Sequence, residues 1–148
     1  MYIDGVSVIE SFPDVQFYDY TKNPNRFKKP LPKNYHLTFS RSETNHELCF
    51  DMLKSGVNVA MVFQGQLPKT YKGFKVVDGD ENDLRFINEK GVIIGLKYKK
   101  ITIKNGKKIN DDAIKSGFVI PTYIDRGKVI ARINRAYQKV AACTKIVA

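Results

Sequence analysis

Apolar residues along the chain fall into short clusters whose spacing alternates between a strand period and a helix period. Residues 15–20 (VQFYDY) are aromatic-rich and follow Pro13, which predicts a first strand. Residues 22–34 carry three prolines (Pro24, Pro30, Pro32) and no apolar period, so they read as an extended loop. A second strand is predicted at residues 35–39 (YHLTF). Ser40 and Glu43 then stand at the spacing of a capping box, with Thr44 and Glu47 as the next possible start. Leu48, Cys49, Met52 and Leu53 follow at helical spacing, and Gly56 stands where a glycine ends a helix. Residues 57–63 (VNVAMVF) are almost continuously apolar, the pattern of a strand covered on both faces. Residues 75–77 and 91–96 (GVIIGL) predict a fourth and a fifth strand.

Strand, helix and strand across residues 35–63 make a βαβ unit, and a crossover helix of that length demands parallel pairing. Residues 98–103 alternate and run toward Asn105-Gly106, which predicts a β-hairpin with its return strand at residues 117–122. Residues 127–140 show the clearest amphipathic helix, within a basic C-terminal helix of about residues 127–143. Val129, Ile130, Ile133, Ala136, Tyr137 and Val140 share one face. Lys128, Arg132, Arg135 and Lys139 fall within about 60° on another. No internal repeat or low-complexity linker interrupts the chain. The expected fold is therefore one α/β domain over residues 1–148. Its sheet is a partial barrel or an open, mainly parallel sheet of about five strands, with a hairpin and the amphipathic C-terminal helix.

Length and composition narrow the class. A chain of 148 residues, 43% apolar and 11% aromatic, can bury a core of its own. No apolar run is long enough to cross a bilayer, and the first ten residues lack the pattern of a signal peptide. Cys49 and Cys143 are far apart, without a CxxC, so two reduced thiols in a cytoplasmic protein are expected and no zinc site or disulfide.

Charge changes the picture more. Lys and Arg number 25 against 15 Asp and Glu, a net charge of +10, and the cations are segregated. Residues 22–33, 97–108 and 126–145 hold five, six and six cations and no acid. Such a distribution steers polyanions. The predicted nucleic-acid contacts are Lys97, Lys99, Lys100, Lys104, Lys107 and Lys108, then Lys128, Arg132, Arg135 and Lys139. A solvated face on a packed helix explains the last four equally well.

Each predicted strand also ends in polar residues, which a parallel sheet would gather on one rim, where ligands bind in such folds. The candidates are Asp19, Tyr20 and Lys22 after the first strand and Ser40, Ser42, Glu43 and Asn45 after the second. Asp78, Asp80, Asp83 and Arg85 follow the fourth. Backbone N–H groups and hydroxyls near Ser40–Asn45 suit an anion, although ordinary capping uses the same residues. Asp78, Asp80 and Asp83 could hold Mg²⁺ for phosphoryl chemistry, or simply form an acidic turn beside Arg85. No metal signature, Walker loop or nucleophile motif is present, so no cofactor is expected and Mg²⁺ enters only with that alternative.

Five ordered blocks add a resemblance. FPDVQFYDYTK (12–22), LPKNYHLTFSRSETN (31–45), GVNVAMVF (56–63), VVDGDENDLRF (76–86) and GVIIGLK (91–97) resemble a family of phage and mobile-element proteins. The resemblance covers about residues 8–120. It implies a partial barrel related to radical-enzyme folds, with this chain matching the C-terminal half of longer members that carry an N-terminal cysteine cluster. Cys49 and Cys143 do not suffice for an iron–sulfur site. A half-barrel leaves an open edge, from which a homodimer is expected. The functional expectation is a basic, cytoplasmic phage protein that engages nucleic acid or a nucleoprotein and inhibits a host nucleic-acid-guided defence system. A metal-dependent enzyme acting on a nucleotide or phosphoester and a purely protein-binding inhibitor are the alternatives.

Overall fold

A computed structural model of the chain describes residues 2–3, 6–99 and 112–122. The first elements are a two-residue antiparallel pair, β1 (Tyr2–Ile3) and β2 (Val6–Ser7), and a single helical turn, α1 (Val8–Ser11). Then come β3 (Phe17–Thr21), a 3-10 turn (Pro24–Phe27), β4 (Tyr35–Ser40), α2 (His46–Lys54) and β5 (Val59–Gln64). They are followed by β6 (Thr70–Tyr71), β7 (Phe74–Asp78), a second 3-10 turn (Arg85–Ile87) and β8 (Ile93–Lys97). A short helix, α3 (Asp112–Lys115), leads into β9 (Val119–Pro121).

The βαβ unit forms as its periodicity requires. Cys49, Phe50, Met52 and Leu53 line the buried face of α2, each such side chain contributing roughly 1.5–3 kcal/mol when fully buried. Gly56, at φ 89°, ends the helix: its N–H bonds Leu53 O and the Val57 N–H bonds Met52 O, the paired bonds of a Schellman stop. The helix start differs from the capping-box expectation. Ser40 is the last residue of β4 and Asn45 the cap position. Asn45 organises the turn instead, with Oδ1 accepting the Ser42 N–H at 2.6 Å and Nδ2 donating to Ser40 O at 3.0 Å.

Seven strands make one sheet in the order β3-β4-β5-β8-β7-β6, with β9 also paired to β5. All pairings are parallel except β6 with β7. Among the described residues the sheet is open, its order ending at β3 and β6, in agreement with the open, mainly parallel alternative. Among the described residues seven strands stand where about five are predicted, because the two-residue β6 leaves no period to read and β9, expected as a hairpin arm, joins the main sheet. Lys72 (φ 48°) and Gly73 (φ 87°) turn β6 into β7, since two successive positive φ values are what a tight two-residue hairpin needs. The strand predicted at residues 117–122 is present at Val119–Pro121 and lies parallel along β5, while the turn and most of the other arm of the predicted hairpin lie outside the described residues. Residues 100–111 and the predicted helix at 127–143 lie outside the described residues.

One edge of β5 is shared. Phe39 and Ser40 of β4 pair with Val59 and Ala60, and β9 takes over from Val62 to Gln64. On the face toward α2 the core comprises Phe39, Val59, Met61, Phe63, Ile93 and Ile120 together with the helix side chains. The opposite face is thinner, with Ala60, Val92 and Ile94 flanked by Tyr20, Val77 and Leu96. Gly79 permits close packing there: a Cβ on it would stand 2.6 Å from Ile94 Cγ2 and 2.9 Å from Leu96 Cδ2.

Candidate functional site

Because β3, β4, β5, β7, β8 and β9 are parallel, their carboxyl ends share one rim. Thr21 and Lys22, Ser40 to Ser42, Gln64, Thr122, Lys97 and Asp78 follow one another around it. A cleft of about 560 Å³ opens at the ends of β5 and β9, lined by Gln64, Gly65, Gln66, Leu67, Pro68 and Thr122. The Thr122 hydroxyl donates to Gln64 O and ties the two strand ends together.

At the β4 end the rim is cationic. Arg41 follows β4 directly and is 8% exposed. Its guanidinium donates to Phe118 O at 2.6 Å, to Gly117 O at 2.7 Å and, through Nε, to His46 Nδ1 at 2.8 Å. It thereby pins the approach to β9 against the place where β4 leaves β5. An Nδ1 that accepts leaves the imidazole proton on Nε2, and Lys72 Nζ stands 3.3 Å from that atom. Two donors therefore face each other. Burial first, then the charges of Arg41 and Lys72, hold the His46 pKa below its ordinary value. Lys72 also lies 4.8 Å above the Phe50 ring, and Lys22 lies 5.7 Å from the centre of the Phe118 ring. Among the described residues, Lys22, Arg41 and Lys72 form no ion pair with a carboxylate.

The β7–β8 end is neutralised. Lys97 Nζ meets Asp78 Oδ2 at 2.7 Å, and Lys99 Nζ meets Asp80 Oδ1 at 3.3 Å. The hydrogen bond from Lys97 lowers the Asp78 pKa, and the same bond raises that of Lys97. The other two oxygens are also taken: Asp78 Oδ1 accepts the Asp80 N–H, and Asp80 Oδ2 accepts the Lys97 N–H. These acids build a turn and hold two lysines. Among the described residues, no group of three or more His, Cys, Asp or Glu side chains could hold a metal ion.

The rim thus gathers Lys22, Ser40, Ser42, Asn45, Asp78, Asp80, Lys97 and Lys99 from the sequence candidates. Glu43 sits exposed in the turn before α2. Asp19 lies inside β3 on the α2 side, held by Arg26 at 3.0 Å and the Tyr35 hydroxyl at 3.1 Å. Burial opposes its ionisation, but the bonds from Arg26, the Tyr20 N–H and Tyr35 outweigh that and lower its pKa. Tyr20 and Arg85 lie against the opposite face, and Asp83 is exposed beside Arg85. Lys100, Lys104, Lys107, Lys108, Lys128, Arg132, Arg135 and Lys139 lie outside the described residues. Arg41, His46 and Lys72 carry no local motif and come together only in three dimensions. Cys49 is fully buried, and burial pushes its thiol up to about 11, which leaves it inert as a nucleophile.

Fold and rim together define an open, mostly parallel α/β protein with a cationic strand end. The chain belongs to the Gene product 88 family, a phage-type gene-product family whose sequence profile matches residues 2–122. No curated protein and no solved structure matches the chain.

Proposed function

We propose that this protein binds a polyanion, nucleic acid or a nucleoprotein, with the β4 end of the rim seating phosphates and the basic runs in residues 97–108 and 126–145 extending the contact. The observation that carries the reading is the polarity of the rim. Lys22, Arg41, His46 and Lys72 gather at one end, where among the described residues none of the three cations is ion-paired to a carboxylate, while Lys97 and Lys99 at the other are each matched by one. Charge beyond the described residues reinforces it. Of the 25 cations, 15 lie in described residues against 12 of the 15 acids; the other residues carry ten cations against three acids. The described residues are nearly neutral, and the excess charge belongs to residues 100–111 and 123–148. In a phage setting, such a surface would serve to interfere with a host nucleic-acid-guided defence complex.

Fluorescence anisotropy with labelled single- and double-stranded DNA and RNA tests the reading. Affinity should fall steeply between roughly 50 and 200 mM salt, because bound phosphates release counterions. The Lys22→Glu/Lys72→Glu variant should weaken binding and reduce the log–log salt slope by about 2. Absent binding, or binding indifferent to salt, rejects the proposal. Capture of a host complex that survives nuclease treatment would favour direct protein recognition instead.

A further inference from the structure

The sheet face opposite α2 carries a second constellation. Arg85 is the largest fully buried side chain among the described residues, 1% exposed. It opens the 3-10 turn at Arg85–Ile87, which packs against β4. One bond from its guanidinium is made, to Gly79 O at 3.0 Å, and Nε has no partner. The nearest carboxylate oxygen, Asp83 Oδ1, stands 3.9 Å away on a side chain that is 80% exposed. A buried guanidinium without a buried counter-charge is among the costliest groups a fold can hold.

Its surroundings are also unsatisfied. Thr38, fully buried, pairs in register with Tyr20, and His36 lies two residues earlier on the same face of β4. Asn58, just before β5, continues the register beside Thr38. Asn88 closes the turn through its N–H to Arg85 O. Among the described residues, the buried side-chain atoms that lack a hydrogen-bond partner are His36 Nε2, Thr38 Oγ1, Asn58 Nδ2, Arg85 Nε and Asn88 Oδ1. All five belong to this neighbourhood. Arg85 Nε and Asn58 Nδ2 can only donate, the Thr38 hydroxyl can donate, and the Asn88 amide can present either end. Donors around an uncompensated positive charge are the complement of an oxyanion.

We propose that β4 and the Arg85–Ile87 turn form a binding site for a small oxyanion, a phosphate or sulfate group, which enters as the turn shifts, with Arg85 supplying the charge and Thr38 and Asn58 the neutral donors. The turn is suited to admit it. Leu84, Phe86 and Ile87 beside Arg85 are all exposed, so Arg85 itself, rather than apolar packing, is the turn's main hold on the sheet.

The test is calorimetric titration and thermal melting with inorganic phosphate and with sulfate, against chloride at matched ionic strength. Wild type should bind either anion saturably and melt higher in it, the increase growing with the logarithm of concentration. Thr38→Val, close to isosteric, should weaken binding about tenfold through the loss of one bond to a charged group. Arg85→Met should abolish it, and if that variant does not fold, Thr38→Val decides. Equal behaviour in phosphate, sulfate and chloride, or wild-type affinity in Thr38→Val, overturns the proposal. Loss of the response in Lys22→Glu/Lys72→Glu instead assigns the anion to the rim and overturns it too. A crystal structure grown in phosphate that holds only water beside Arg85 would do the same.

Discussion

Replacing Arg41 with leucine keeps much of the side-chain bulk and removes the three hydrogen bonds that join the end of β4 to α2 and to the approach to β9. Bonds from a charged donor contribute roughly 1.5–3 kcal/mol each, so the gross loss is about 4.5–9 kcal/mol. Two effects offset it. Leucine escapes the desolvation cost of a buried guanidinium, which is several kcal/mol. Gly117 and Phe118 are only half-buried, so water reaches their freed carbonyls. The net destabilisation should be about 2–4 kcal/mol, out of a total near 5–15 kcal/mol for a domain. For a chain of this size that lowers Tm by about 10 °C. Arg41→Lys, able to reach one carbonyl, should fall between the two. Urea unfolding gives the stabilities. Amide exchange should locate the damage, with protection lost first at Val119, Ile120 and Val62–Gln64 and retained between β7 and β8. Should Arg41→Leu unfold within about 0.5 kcal/mol of wild type, or lose protection evenly across the sheet, the account of Arg41 as the seam is wrong.

Gly79→Ala should cost about 1–3 kcal/mol in urea unfolding, since its methyl would overlap Ile94 and Leu96 and displace the carbonyl that holds Arg85; an unchanged midpoint would mean the face repacks freely. The pH dependence has a definite sign. Burial and, for each ring, neighbouring cations hold the native pKa values of His36 and His46 below 6.5. The unfolded chain then binds protons that the native state refuses, so stability should fall as pH drops through 6.5 toward the lower native values. Asp19 and Asp78 act at the acid end, their contribution being lost only as pH falls below 3.8 through their depressed native values. Urea midpoints from pH 8 to 3 check both windows, and stability that rises between pH 7 and 5.5 contradicts the first.

Local pattern carried far in this protein. The apolar run at residues 57–63, the helical spacing of Leu48, Cys49, Met52 and Leu53, and Gly56 behind them determined a parallel βαβ unit, because period and stop signals act over a few residues. The gathering of strand ends on one rim followed from that topology. Four things were decided only in the tertiary structure. Beyond Ala60, β9 takes over the edge of β5 that β4 has left, a pairing between residues more than 50 apart that no local period encodes. Lys97 and Lys99, which read as free cations in a basic run, are matched by Asp78 and Asp80 across the β7–β8 pair. Arg85, which read as a partner for an acidic turn, is driven beneath the sheet beside orphaned donors, while Arg41, His46 and Lys72 converge from three separate elements. Charge along a chain is a local property, whereas its compensation depends on which distant side chains the fold brings within a few ångströms.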